Sequence, residues 1–135
     1  MKIYAVIDTN VIVSALLARN PEAATVKVFE AFFQGRVVPL VNDEIIKEYA
    51  DVLHRHKFCF PEELVNSVIR SIERSAIRPG RTFCEEEFPD LKDAVFYEVA
   101  LSKDDAYLIT GNTKHFPRTP IVVTPAEMLE ILKRS

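Results

Sequence analysis

Four short apolar runs, each followed by a polar turn and then a stretch with helical periodicity, constrain this chain more than any other feature of its sequence. Ile3 to Ile7 is the first run, and Asp8-Thr9-Asn10 breaks it before the apolar segment Val11 to Leu17. Arg36 to Val41, Ala106 to Thr110 and Ile121 to Val123 repeat the pattern. Runs that are apolar without alternation suit strands covered on both faces, and strands separated by helices suit parallel pairing through crossovers. The spacing therefore predicts an α/β fold, a three-layer α/β/α sandwich with a central, mostly parallel sheet.

The helical segments carry their own start and stop signals. From Glu22 to Gln34 the residues Val26, Phe29, Phe32 and Phe33 recur on one face, and Gly35 supplies a C-terminal stop. Asn42 can cap a helix whose buried face is Ile45, Ile46, Tyr49, Val52 and Leu53. A helix from Pro61 to Ala76 would turn Leu64, Val65, Val68, Ile69 and Ile72 inward, with Arg70 and Arg74 on an exposed side. Another begins near Asp90 and buries Val95, Phe96, Val99 and Ala100. Thr124-Pro125-Ala126-Glu127 has the form of a capping box opening the last helix.

With 135 residues and neither a repeat nor a linker-like tract, residues 1–135 read as one domain. The apolar runs are too short to span a bilayer, and charge follows the N-terminal run within a few positions, so neither a membrane span nor a signal peptide is expected and the reading is cytoplasmic. The two cysteines, Cys59 and Cys84, have neither zinc-knuckle nor CxxC spacing and read as ordinary thiols. The net charge of −3 means that any nucleic-acid binding must rely on a local basic patch or on metal ions. Arg55, Lys57, Arg70, Arg74, Lys114 and Arg118 are the basic positions that can line such a groove.

In open parallel sheets the ligand site lies beyond the carboxyl ends of the strands. Two strands end in residues suited to metal or phosphate chemistry, Asp8 after the first and Thr110 with Asn112 after the third. Glu44 and Glu48, one helical turn apart, and Asp90 and Asp93, at the start of a later helix, can join them. Carboxylates gathered in one cleft need a cation, and hard oxygen donors suit Mg²⁺ or Mn²⁺. The same residues have plainer readings. Glu44 and Glu48 fit a solvated helix face, Asp90 a cap with Asp93 reaching back to complete a box, and Thr110-Gly111-Asn112 a strand-ending turn. His115, with no partner at ligand spacing, reads as a surface or turn residue. With only Gly35, Gly80 and Gly111 there is no glycine-rich phosphate loop, and Asp8-Thr9-Asn10 lacks the second aspartate of an aspartyl-phosphate mechanism.

Taken together, the motifs resemble those of PIN-domain proteins, in particular the VapC-like ribonucleases that are toxin components of toxin-antitoxin pairs. Ala5-Val6-Ile7-Asp8-Thr9-Asn10-Val11 matches the family's N-terminal aspartate motif. Ile45-Ile46-Lys47-Glu48-Tyr49 resembles the helix bearing the second acidic residue, with Glu48 rather than Glu44 in the matching place. Asp90-Leu91-Lys92-Asp93 with Glu98-Val99-Ala100-Leu101 is similar to the stretch bearing the third, at Asp93. Tyr107-Leu108-Ile109-Thr110-Gly111-Asn112 fits the last motif, except that many members have aspartate where Asn112 stands. Asparagine keeps an oxygen donor but loses a charge, so a second metal site there would be weaker.

The resemblance implies a metal-dependent endoribonuclease with Asp8, Glu48 and Asp93 holding Mg²⁺ or Mn²⁺, Asn112 assisting catalysis, and Thr9 and Thr110 orienting. It further implies RNA as substrate, an antitoxin partner and a homodimer. The alternative is a catalytically weak or inactive PIN-like module that binds RNA or protein.

Overall fold

The structure is a computed structural model and describes residues 2–135. Its centre is a sheet of four parallel strands, β1 (Ile3–Ile7), β2 (Val37–Pro39), β3 (Tyr107–Ile109) and β4 (Val122–Val123), in the order β2-β1-β3-β4. Six helices flank it: α1 (Thr9–Leu17), α2 (Ala24–Phe33), α3 (Asp43–Leu53), α4 (Glu62–Ser75), α5 (Leu91–Leu101) and α6 (Pro125–Arg134). The expected three-layer α/β/α sandwich with a parallel sheet is the observed fold.

The strands are shorter than their apolar runs because only residues with a neighbouring strand in register are paired. Ile3 to Ala5 align with Val37 to Pro39 on one side of β1, and Ala5 to Ile7 align with Tyr107 to Ile109 on the other. Ala5, Val6 and Ile7 are wholly buried, as continuous apolar strands require when both faces are covered. α5 packs on β1 and β3, α2 on β2, and α2 also meets α1 and α6. Among the described residues, no helix is long and apolar enough to cross a membrane.

Most caps form as the residue types dictate. Asn42 accepts from the Ile45 N–H at 2.8 Å, and Thr124 and Glu127 close a reciprocal capping box on α6. Gly35 turns left-handed (φ 77°) just after α2, letting the Arg36 N–H reach back to the Ala31 carbonyl. Pro61 stands one position outside α4 rather than in its first turn. Two apolar positions expected inside are not: Phe33 is 51% exposed and makes an edge contact with Phe29, and Leu64 is also exposed. Each lies at the margin of its helix's apolar stripe, where the helix turns away from the sheet.

One consequence of the strand order positions the site. The chain moves from β1 to β2 on one side, then returns to place β3 on the other side of β1. The crossovers thus diverge between β1 and β3, and the turns leaving these two strands open a crevice at their carboxyl ends.

Candidate active site

The first residue beyond β1 is Asp8 and the first beyond β3 is Thr110. They meet across the crevice: the Thr110 hydroxyl donates to Asp8 Oδ2 at 2.7 Å. Both are buried, and Thr110 in turn accepts the Asn112 backbone N–H at 3.0 Å.

α3 supplies the second wall. Tyr49, fully buried, donates its hydroxyl to the Ile7 carbonyl at 2.5 Å. That bond has a clear reason. The Ala5 carbonyl faces β2 and accepts the Leu40 N–H, and two residues further on the Ile7 carbonyl faces the same side, where β2 has ended. Tyr49 therefore satisfies a backbone group the sheet leaves open, and it pins α3 over the end of β1. Burial, followed by the negative charge of Asp8, holds the Tyr49 phenol well above its ordinary range, so it stays a donor. One position earlier, Glu48 points into the crevice.

α5 supplies the third wall. Asp90 caps it by accepting the Lys92 N–H at 3.0 Å. The expected reach of Asp93 back to that cap does not form. Its carboxylate turns into the crevice instead, where Oδ2 is buried without a hydrogen-bond partner.

The result is a recess of about 150 Å³ lined by Asp8, Thr9, Asn10, Glu48, Val52, Arg55, Asp90, Lys92, Asp93 and Phe96. Asp8, Glu48 and Asp93 are thus brought together from positions far apart in sequence, and Thr9 joins them with a hydroxyl that also lacks a partner. Glu44 stays outside, paired with Arg81 at 3.0 Å. Asn112 does not line the recess. Its amide lies 3.0 Å from His115 Nε2, and His115 Nδ1 lies 3.4 Å from Asp93 Oδ2, an ion-pair contact when the imidazole is protonated. The Asn112 side chain reaches the carboxylates only through His115, while its backbone N–H reaches Asp8 by way of Thr110.

His115 is the residue that reading by sequence missed at this site. It sits in a single 3-10 turn, Thr113–His115, after β3, and only that turn brings it against α5. No spacing signal in the chain links 93 with 115.

The electrostatics are those of crowded acids. Burial raises the Asp8 carboxyl above its ordinary value, an effect offset in part by the Thr110 hydroxyl, the Asn10 and Thr9 amides, and His115. Asp93 is pushed up to about 6, by burial first, then by the charges of Asp8 and Asp90, with Glu48 adding to them and His115 opposing. A site in which burial and neighbouring carboxylates raise the pKa of Asp93 is one that a cation stabilises.

The fit to a divalent ion follows from this donor set. Asp8, Glu48 and Asp93 offer hard oxygens to one recess, and Asp93 Oδ2 makes no hydrogen bond that would compete for it. Among the described residues no three acidic, histidine or cysteine side chains already stand at ligand spacing. Glu48 is the least fixed of the trio, held only by a 3.9 Å contact with Lys92.

The family profile described as PIN domain matches residues 4–114, from β1 through the turn that follows β3. That span holds Asp8, Glu48, Asp93, Thr110 and Asn112. No curated protein and no solved structure matches the chain.

Proposed function

The chain belongs to the PIN-domain family, a nuclease-type fold, and from that premise we propose that it is a metal-dependent endoribonuclease hydrolysing RNA phosphodiester bonds. One observation carries the reading: Asp8, Glu48 and Asp93, from β1, α3 and α5, converge with Thr9 on a single recess at the crevice between β1 and β3. Asp8, Glu48 and Asp93 would hold Mg²⁺ or Mn²⁺. When bound, such an ion polarises a phosphoryl oxygen and makes its water more acidic.

The chain's own residues do the rest. Thr110 fixes the Asp8 carboxylate at the recess by its 2.7 Å bond. Tyr49 holds α3, and with it Glu48, against the end of β1. Lys92 and Arg55 bring positive charge to the rim, where a substrate phosphate would otherwise meet only acids. Asn112 acts at one remove, by orienting His115 beside Asp93.

The finer role, the toxin of a toxin-antitoxin pair that is neutralised by an antitoxin and assembles as a homodimer, is what the resemblance to VapC-like ribonucleases implies. The competing reading, a binding module without catalysis, draws support from the absence of three donors at ligand spacing among the described residues.

Purified protein incubated with a pool of structured and single-stranded RNA, with Mn²⁺, Mg²⁺ or EDTA, distinguishes the two. Cleavage that needs metal and disappears in Asp8→Asn and Asp93→Asn supports the nuclease. Undiminished metal-dependent cleavage by Asp8→Asn overturns this site. Calorimetric titration showing no carboxylate-dependent Mn²⁺ uptake would favour the binding module.

A further inference from the structure

Between Asp51 and Glu62 the chain carries no carboxylate, and there it runs His54-Arg55-His56-Lys57-Phe58-Cys59-Phe60. Two of its three histidines fall in this strip together with an arginine and a lysine, in a protein whose net charge is −3. The strip leaves the end of α3 and joins it to α4. His54, Arg55, His56 and Lys57 are all exposed.

Arg55 is the unexpected member. It lines the recess with Asp8, Asp90, Asp93 and Glu48, yet among the described residues it lies within 4.0 Å of no carboxylate and its guanidinium makes no hydrogen bond. Other basic side chains near the groove are engaged: Arg81 with Glu44 and Glu98, Lys47 with Asp51, Lys92 with Glu48. A guanidinium at the mouth of an acidic recess that pairs with none of its acids is free for an anion from solution, and its planar fork suits a phosphate.

Lys57 follows Arg55 two residues on and lies over an aromatic ring. Its ammonium lies 5.1 Å from the Phe58 ring centroid, and Phe58 stacks on Phe60 at 5.5 Å with planes 17° apart. Cys59 between them is left-handed (φ 55°), which folds the chain back so that the two rings overlap. A cation already held over an aromatic ring gives up less freedom when it binds a phosphate.

We propose that the strip 54–60 is the docking site for the backbone of single-stranded RNA, with Arg55 taking the phosphate next to the recess and Lys57 one further along the strand. The proposal rests on the nuclease reading above and names how its substrate is held. Single strands fit because Asp8 is only 7% exposed. A phosphate must descend into a space of about 150 Å³ to reach it, and a strand locked in a duplex cannot bend in that far. The backbone of an unpaired strand can follow a short row of cations into the recess.

The test is fluorescence anisotropy of an end-labelled, mixed-sequence RNA of about 12 nucleotides, in EDTA so that nothing is cut. The intact chain is compared with Arg55→Ala/Lys57→Ala, and with Lys27→Ala/Lys133→Ala, which removes the same charge from exposed sites on α2 and α6. Loss of two phosphate contacts should weaken binding roughly ten- to thirty-fold at about 0.1 M salt and lower the salt slope by about 1.4, whereas the control pair should change neither.

Equal affinity and slope in the strip variant overturn the proposal, even where the intact chain cleaves RNA. So does a control pair that weakens binding as much, or a wild-type chain that does not bind. A duplex bound as tightly, with the same dependence on Arg55 and Lys57, overturns the single-strand assignment. Failure of the intact chain to cleave any RNA with Mn²⁺ overturns the nuclease reading instead, and the binding comparison still decides the strip.

Discussion

Asp93 carries the heaviest electrostatic load in the recess. Its carboxyl titrates near 6 in the fold, against an ordinary 3.8. Between those values the folded chain holds a proton that the unfolded chain has released, so stability of the metal-free protein falls as pH rises from about 4 to about 6 and is flat above. Asp93→Asn removes this dependence. Thermal melts in EDTA across that range should show the variant's curve flatter than wild type and its midpoint higher at neutral pH; identical pH profiles would mean Asp93 is not strained by its neighbours. The link from Asn112 to Asp93 through His115 makes a separate prediction. His115→Ala should reduce Mn²⁺ affinity about 10- to 100-fold, as loss of an outer group that orients a ligand does. Asn112→Ala added to it should cost little more, because the Asn112 side chain touches the carboxylates only by way of that ring and its backbone bond to Thr110 is kept. Additive losses in calorimetry would place Asn112 in direct contact with the metal.

Two segments beside the recess are each tied down by one buried polar side chain. Tyr49 fastens α3 to the end of β1, and Tyr49→Phe leaves the Ile7 carbonyl without its donor while preserving the packing against Phe96. The expected loss is about 1 to 3 kcal/mol in urea unfolding, with a larger fall in Mn²⁺ affinity than stability alone explains, because Glu48 rides on the same turn. Unchanged stability would show that another group can satisfy that carbonyl. Glu98, on α5, plays the matching part for the loop that precedes that helix. Its carboxylate, almost wholly buried, accepts from Arg81 Nε and from the Cys84 N–H, both at 2.6 Å, and ties down the segment leading to Asp90. Glu98→Ala should cost about 2 kcal/mol, below the roughly 3 to 5 of a fully buried pair because Arg81 is 39% exposed. Amide exchange should then rise first in residues 81–90.

Across the whole molecule, the proposed metal binding would be linked to folding. The carboxylates repel one another in the folded state and are far apart in the unfolded chain, so an ion bound only by the folded form adds about 2.7 kcal/mol of stability at 100 times its Kd. Mn²⁺ should raise the melting temperature of the wild-type chain and should not do so for Asp8→Asn. An equal rise in both would place the ion elsewhere. The parallel sheet makes the arrangement possible, because all four strands point their carboxyl ends the same way and every turn that leaves them opens on one side.

The sequence by itself was enough for the fold class, the order of elements, most helix caps and the candidacy of Asp8, Glu48 and Asp93. These depend on local periodicity, on residue type at chain turns and on motifs a few residues long. Only the tertiary structure decided which acids share a recess. Glu44 and Glu48 look alike one turn apart, and packing against the end of β1 alone separates the one that pairs with Arg81 from the one that faces Asp8. The same holds for Asp93, which could equally have closed a helix cap, and for His115 and Arg55, whose roles depend on neighbours 22 and 47 residues away, at Asp93 and Asp8. Local pattern reports which face of an element is apolar. The strand order β2-β1-β3-β4 determines which polar residues then meet, because it places β3 beside β1 and brings the ends of both into one crevice.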